Sequence, residues 1–189
     1  DWLGALPRLS LDEDARAPLL PERHLGLVAA NELADALQRL DAAADALAAT
    51  PLGRMDAQAL QRFATDFPAP PPRESAPPLL AGRTVAVARD AAFCFIYPGN
   101  VQTLQQLGAR VVFFSPLHDA ALPALDGLVI GGGFPEMFMD ALEANGGMRA
   151  SVRAAIETGL PTYAECGGLM YLSRSLSWQG RTRRMAGVV

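Results

Sequence analysis

The sequence contains no lysine: all sixteen of its basic residues are arginine. A P-loop needs a lysine to reach the phosphates, and Schiff-base chemistry needs a lysine amine, so neither is predicted. Charged residues make up only 19% of the chain, and the net charge is −4. This mildly acidic balance argues against a nucleic-acid partner, which would require a basic face.

Long apolar runs and clustered metal ligands are also absent from the sequence. No apolar run approaches the roughly 20 residues of a membrane-spanning helix, so we expect no membrane partner. The first residues lack the basic and then apolar pattern of a secretory signal, which favours a cytoplasmic location. The two cysteines and two histidines do not have the spacing of zinc ligands, so no metal site is predicted in this chain.

A proline-rich segment divides the chain. Residues 68–82 read PAPPPRESAPPLLAG, and this density of proline is incompatible with a helix or a central strand. We predict a linker over 68–82 between one part at 1–67 and another at 83–189. A long surface loop inside a single domain is the alternative.

The first part has helical periodicity. Asn31 is the predicted cap of one helix with a leucine-rich stripe, and a second, shorter helix is predicted over 55–67 with Leu60 and Phe63 facing inward. Two such helices offer too little apolar area to fold alone, so we expect them to belong to a larger domain.

The second part alternates strands and helices. Strands are predicted at 83–89, 111–114, 127–130 and 161–164, and helices at 100–107, 135–145, 148–158 and from 167 onward. This alternation predicts an α/β fold, a parallel sheet with helices on both faces. Binding sites in such sheets lie at the carboxyl ends of strands, where Cys166 and the glycines at 131–133 fall.

Cys166 has the sequence context of a nucleophile elbow. In PTYAECGGLMYL (161–172) a strand leads directly to the cysteine, and two glycines then open a helix. The positive end of that helix would favour the thiolate, and the N–H of Gly167 would point to a developing oxyanion. A small buried cysteine in a tight turn is an equally open interpretation of this pattern alone.

The triplet Gly131, Gly132 and Gly133 follows an apolar strand. Its exposed N–H groups could hold a phosphate or supply a second oxyanion donor. A turn that simply needs glycine is the plainer alternative.

Several motifs together resemble class I glutamine amidotransferases of the cobyrinic-acid type. The resemblance rests on GGGFPE (131–136), on Asn145 followed by Met148 and Arg149, and on YAECGGLMYL (163–172). VARDAAFCFIYPGN (87–100) and SPLHD (115–119) are similar to the same family's first two strand exits. LGALPR (3–8) and LPERHLGLV (20–28) resemble the end of its synthetase domain.

This resemblance implies a class I amidotransferase-like α/β domain at 83–189, preceded at 1–67 by the tail of an ATP-dependent synthetase domain. The implied activity is the glutaminase half of a ligase in cobalamin biosynthesis, which amidates the a- and c-carboxylates of cobyrinate or hydrogenobyrinate. Cys166 would form a γ-glutamyl thioester, and Gly132, Gly133 and Gly167 would bind the oxyanion or substrate. ATP and Mg²⁺ would serve the full-length enzyme, with none expected in this chain alone.

The implied partners are glutamine, the corrin-precursor carboxylates and the enzyme's own synthetase domain, with a homodimer left open. Cobyric acid synthase, a diamide synthase for another tetrapyrrole, and a non-catalytic amidotransferase-like binding module are alternatives. The substrate and the cobalt status of the corrin are not fixed by this sequence.

The chain departs from the family's pattern in four places. The phosphate-loop region of the synthetase is absent, and the catalytic histidine is expected beyond residue 189, so we expect this chain to be an inactive fragment. Gly99 stands where an acidic residue is usual, and Phe134 stands where tyrosine is common.

Other residues are candidates of lower rank. His118 is the only histidine of the second part, but its position matches a non-catalytic loop of the family. Glu165 is expected to point away from the Cys166 side chain and to orient the elbow. The arginines at 181, 183 and 184 read as a solvated turn, with contact to a polycarboxylate as the alternative.

Overall fold

The computed structural model describes residues 2–6, 19, 21, 28, 33–69 and 76–189. The chain forms two compact units, Asp1–Pro71 and Pro72–Val189. Their boundary falls within the proline-rich segment. No helix formed by the described residues has both the length and the apolarity needed to cross a membrane.

The described residues of the first unit form two helices, α1 (Ala36–Ala48) and α2 (Ala57–Gln61). Asp35 precedes α1, and its carboxylate lies 2.8 Å from the Arg39 guanidinium, an i,i+4 ion pair. Asn31, the predicted cap of this helix, lies outside the described residues. Asp56 caps α2, where its side chain accepts a hydrogen bond from the N–H of Ala59 at 2.8 Å.

The second predicted helix is shorter than expected. It ends at Gln61, and both Leu60 and Phe63 are exposed, so the prediction that they face inward is wrong. The two elements have no further layer within the described part of this unit under which these side chains could be buried.

The second unit is built on a four-stranded parallel sheet. Its strands are β1 (Thr84–Ala88), β2 (Arg110–Phe114), β3 (Gly127–Ile130) and β4 (Thr162–Ala164), in the spatial order β2-β1-β3-β4. The order reverses between β1 and β3, which places the crevice of the sheet beyond their carboxyl ends.

Helices cover both faces of this sheet, as predicted. On one face, α3 (Pro98–Gln106) packs its Leu104 against Val85 and Val87 of β1. On the other face the main core includes Ala86 and Ala88 of the same strand, together with residues of α4 (Met139–Ala144), α5 (Gly146–Glu157) and α6 (Gly167–Leu172). Successive side chains of β1 point to opposite faces of the sheet, so this strand contributes to two separate cores.

Two elements differ from the sequence-based expectation. The helix predicted over 135–145 is divided into a 3₁₀ turn, Pro135–Phe138, and α4. The arginine-rich segment expected to be a turn is a strand: β5 (Ser175–Trp178) and β6 (Arg181–Arg184) form an antiparallel hairpin. Gln179 and Gly180 connect them with φ of 49° and 72°, the positive values that a two-residue hairpin loop requires.

The beginning of the second unit includes part of the proline-rich segment. The N–H of Leu80 donates to the carbonyl of Leu107 at 2.8 Å, and its side chain packs against the β1 face that α3 covers. The residues just before Arg83 are therefore attached to the sheet.

The amino terminus of α6 lies directly against the end of β3. A Cβ placed on Gly168 would lie 2.0 Å from the carbonyl oxygen of Ile130, so no side chain fits there. Gly168 is buried, and its N–H donates to the carbonyl of Glu165 at 2.8 Å. Glycine is required at this position for space.

We predict that Gly168→Ala lowers the free energy of unfolding by about 1–3 kcal/mol, because a backbone carbonyl must shift to admit the methyl group. Gly99→Ala is the matched control, since Gly99 lies in α3 with nothing within 4 Å of an added Cβ. It should leave stability unchanged or raise it by up to about 1 kcal/mol. Urea unfolding measures both, and equal losses in the two variants would contradict the steric argument.

Candidate active site

Cys166 occupies a strained position between β4 and α6. Its backbone has φ 49° and ψ −117°, a conformation uncommon for a residue with a side chain. Such strain costs of order 1–3 kcal/mol and persists only where the surrounding structure enforces it. The Cys166 side chain is exposed, so the turn presents the thiol to solvent at the carboxyl edge of the sheet. This is the geometry of a nucleophile elbow.

Small residues make this turn possible. A Cβ on Gly167 would lie 2.9 Å from the Cδ of Pro135 and 3.1 Å from the backbone nitrogen of Gly133. Both glycines after Cys166 are therefore needed for close approach, one against the 131–135 segment and one against the end of β3.

The glycine triplet and the cysteine meet, as the sequence predicted. A Cβ on Gly132 would lie 3.5 Å from the Sγ of Cys166 and 3.4 Å from its Cβ. Gly133 is fixed from the opposite side, where an added Cβ would lie 2.1 Å from the carbonyl oxygen of Ala92. The neighbouring Phe134 donates its N–H to that same carbonyl at 2.9 Å. The triplet is therefore held between the thiol and the loop that follows β1.

Backbone N–H groups remain unused around the thiol. Those of Gly133 and Gly167 make no hydrogen bond within the described part of the chain, whereas Gly132 forms an antiparallel bridge with Phe95. Gly133 lies on the segment beside the Sγ, and Gly167 opens α6. Unused donors near a nucleophile are the elements of an oxyanion hole. The structure thus brings together Cys166, Gly132, Gly133 and Gly167, the four site residues predicted from the sequence.

Glu165 lies beside the elbow but is engaged elsewhere. Its carboxylate accepts a hydrogen bond from the Tyr163 hydroxyl at 2.7 Å. Both residues line a small cavity of about 50 Å³ on the α3 side of the sheet, together with Tyr97 and Asn100. The carboxylate therefore faces α3, in the direction predicted from the strand alternation.

His118 lies far from the thiol. It follows β2, the edge strand, whereas Cys166 follows β4 at the other edge of the sheet. Three strand spacings separate these strands, about 14 Å. His118 is exposed, and its backbone N–H joins the turn at Ser115 with a 3.0 Å hydrogen bond to the hydroxyl. His24, the other histidine, lies outside the described residues.

A large cavity among the described residues does not coincide with the elbow. It has a volume of about 730 Å³ and is lined by residues at the amino ends of β1, β3 and β4, including Arg83, Asp126 and Pro161. Cys166 lies at the opposite, carboxyl edge, where ligands of parallel sheets bind. We therefore assign the site from the geometry of the thiol and not from cavity size.

Comparison with known proteins agrees with this geometry. Residues 84–189, more than half of the chain, match the model of the CobB/CobQ-like glutamine amidotransferase domain. The chain belongs to this family.

Curated relatives extend the likeness to the first unit of this amidotransferase chain. It is 50% identical over 187 residues to the hydrogenobyrinate a,c-diamide synthase of Stutzerimonas stutzeri, covering 96% of this chain and 39% of the relative. For the enzyme of the same name from Pseudomonas aeruginosa the identity is 46%, over 90% of this chain and 36% of the relative. The identity to the cobyrinate a,c-diamide synthase of Magnetococcus marinus is 42%, over 99% of this chain and 40% of the relative. The chain thus spans about two fifths of the length of these relatives.

Two departures from the family pattern can be placed in the amidotransferase structure. A side chain at Gly99 would project into open space from the first turn of α3, and nothing in the structure explains the loss of an acidic residue there. Phe134 is buried and packs edge-on against Phe95, with ring centroids 5.1 Å apart. An apolar ring suits that environment.

The arginines of the hairpin are paired with acidic residues of α4. Asp140 lies within ion-pair distance of Arg181 and Arg183, and Glu143 lies 3.3 Å from Arg184. Hydrogen bonds from the two arginines lower the pKa of Asp140 below its usual range. The segment therefore joins the hairpin to α4, and the prediction of a solvated turn is wrong.

No three acidic, cysteine or histidine side chains of the described residues lie close enough together to hold a metal ion. The described part of the amidotransferase domain therefore offers no obvious ligand set for Mg²⁺.

The pair of Tyr163 and Glu165 gives a prediction for pH titration. The hydrogen bond to Glu165, and then the charge of that carboxylate, raise the pKa of the Tyr163 phenol above its ordinary value. Glu165→Gln removes the charge, so the Tyr163 ionisation should move to lower pH. Ultraviolet difference spectra recorded as pH rises measure this, and Tyr163→Phe identifies the transition. If Glu165→Gln does not shift the pH of the Tyr163 transition, then Tyr163 and Glu165 are not coupled.

Proposed function

We propose that the second unit is the glutamine-hydrolysing half of an ATP-dependent amidotransferase that converts the a- and c-carboxylates of cobyrinate or hydrogenobyrinate to amides. The observation that carries this proposal is the strained, exposed Cys166 with its Sγ beside Gly132 and unused N–H groups around it. The printed names of the relatives supply the substrate class.

The reaction would begin with attack of the Cys166 Sγ on the side-chain amide carbon of glutamine. An S–C bond forms, and the carbonyl oxygen takes up negative charge, which the N–H groups of Gly133 and Gly167 would stabilise. When the tetrahedral species collapses, the C–N bond breaks and ammonia leaves, with a γ-glutamyl thioester on the enzyme. Water then cleaves the thioester to release glutamate and restore the thiol.

This chemistry needs a base that takes the thiol proton, passes it to the leaving nitrogen and later activates water. Two side chains among the described residues are candidates for this base, and neither fits the role. His118 is about three strand spacings away at the far edge of the sheet, and Glu165 faces α3 and accepts from Tyr163. We therefore propose that the base is an imidazole from outside residues 1–189.

ATP and Mg²⁺ would act outside this chain. The sequence has no lysine for a P-loop, and the described residues form no acidic cluster suited to Mg²⁺. We propose that the first unit is the end of the synthetase domain that uses them, because the relatives match this unit as well. We also propose that the protein is located in the cytoplasm.

The thiol can be tested directly in the full-length protein. An electrophilic glutamine analogue should label Cys166 and leave the half-buried Cys94 unlabelled, because only Cys166 lies at the elbow. Cys166→Ser should reduce glutamine-dependent amidation by at least about 10³-fold, since the hydroxyl is a far weaker nucleophile. Amidation driven by added ammonia should continue, because it bypasses the thioester.

The control for this experiment is Cys94→Ser, which should keep glutamine-dependent amidation. Labelling of Cys94 alone would overturn the assignment of the nucleophile. A full-length protein that neither hydrolyses glutamine nor reacts with the analogue would favour the non-catalytic binding module.

We also predict that the 189-residue chain alone hydrolyses glutamine slowly. Loss of general acid–base catalysis typically lowers a rate by about 10²–10⁴-fold. His118, the one imidazole among the described residues, lies at the opposite edge of the sheet from the thiol. Glutamate release by this chain should therefore fall short of the full-length enzyme by about that factor. His118→Ala should leave the residual rate unchanged. Comparable rates for chain and full-length enzyme, together with a loss in His118→Ala, would make His118 the base.

A further inference from the structure

A cleft lined with arginines lies on the far side of α6 from the thiol. Its volume is about 450 Å³, and its charged lining consists of Arg149 and Arg153 from α5, Arg174 after α6, Arg184 of β6, and Glu157. Cys166 precedes α6 and Arg174 follows it, so the length of that helix, about 9 Å, separates the two sites. The cleft is therefore distinct from the proposed glutaminase site.

The two arginines of α5 are held in place by backbone carbonyls. Arg149 donates from Nη2 to the carbonyl of Glu143 at 2.8 Å and from Nη1 to that of Met185 at 3.4 Å. Arg153 donates from Nε to the carbonyl of Ala186 at 2.7 Å. Each guanidinium has five N–H donors, so most of the donors of Arg153 remain available. The fixed heads thus present unused N–H groups.

One of these unused donors is costly. The Nε of Arg149 is buried and has no hydrogen-bond partner among the described residues. Leaving a buried donor of a charged group unpaired is unfavourable, and native proteins show few such atoms. The Nε is not accessible from the cleft, so it is not one of the donors that the cleft offers to a ligand.

The cleft also carries an excess of positive charge. The Arg174 side chain makes no hydrogen bond or ion pair within the described part of the chain, and Glu157 is the only carboxylate among the residues that line the cleft. Arg184 is 3.3 Å from Glu143, so even with that acid counted the cleft keeps two uncompensated cations. This excess stands out on a protein of net charge −4. Like charges gathered in one cleft repel each other unless an anion enters.

A purely structural role explains only part of this arrangement. The carbonyl contacts of Arg149 and Arg153 hold the segment that follows β6, and an arginine serves well for that purpose. The Arg174 side chain takes no part in these contacts. Oxyanions match the fork geometry of guanidinium groups.

We propose that this arginine cleft binds a small, multiply charged oxyanion that carries phosphate or several carboxylate groups. The proposal does not depend on the activity of Cys166. The probes are inorganic pyrophosphate, for phosphate chemistry, and citrate, for polycarboxylate chemistry, each titrated calorimetrically into the full-length protein. At least one should bind with 1:1 stoichiometry and more weakly as salt is raised.

Arg174→Gln is the decisive variant, because the Arg174 side chain has no hydrogen bond or ion pair to lose among the described residues. It should weaken the bound probe about tenfold, the value of one charge-assisted hydrogen bond. Arg110→Gln is the matched control: it removes the same charge from an exposed position on β2, outside the cleft. It should change the affinity by less than about twofold. Unchanged thermal unfolding shows that both variants are folded.

The pattern of binding identifies the chemistry. Binding of pyrophosphate alone assigns the cleft to phosphates, and binding of citrate alone assigns it to polycarboxylates; binding of both supports a general oxyanion site. If neither pyrophosphate nor citrate binds, the proposal is overturned. An equal loss in Arg110→Gln also overturns it, because the effect would then be net charge only, and so does an unchanged affinity in Arg174→Gln.

Discussion

The contact between the start of α6 and the end of β3 is the constraint on which the site depends. Gly168 brings the helix onto the carbonyl of Ile130, at a distance that no side chain would permit. With the helix fixed there, the chain has only Glu165 and Cys166 in which to turn from β4, and Cys166 takes a positive φ. The strain of the elbow is thus a consequence of packing, and the stability of the sheet sustains it.

A second constraint acts from the β1 side. The carboxylate of Asp90 accepts from the N–H groups of Ala92 and Phe93 through one oxygen, and from Ser115 and Leu117 through the other. It thereby ties the exits of β1 and β2 together and sets the position of the Ala92 carbonyl. That carbonyl in turn fixes the glycine triplet. The triplet is therefore held by partly buried hydrogen bonds on one side and by close packing on the other.

Sequence patterns predicted the sheet, its covered faces and the elbow because each rests on local, periodic or steric signals. Four apolar runs marked the four strands, and the glycines after Cys166 marked a turn with no room for side chains. The hairpin after α6 was missed because its strands are polar and rich in arginine. Their pairing depends on Asp140 and Glu143, about forty residues earlier, which no local pattern reveals. The turn Gln179-Gly180 was the one local signal available.

The candidate site separates into parts carried by the backbone and parts carried by side chains. The proposed oxyanion donors are main-chain N–H groups, so glycine packing alone positions them. A proton shuttle has to be a side chain, and it must approach the thiol from the solvent side of the elbow. The described residues provide no imidazole on that side, since His118 follows β2 at the opposite edge of the sheet. In the proposed mechanism the backbone donors stabilise the tetrahedral oxyanion, whereas turnover also requires a side-chain base.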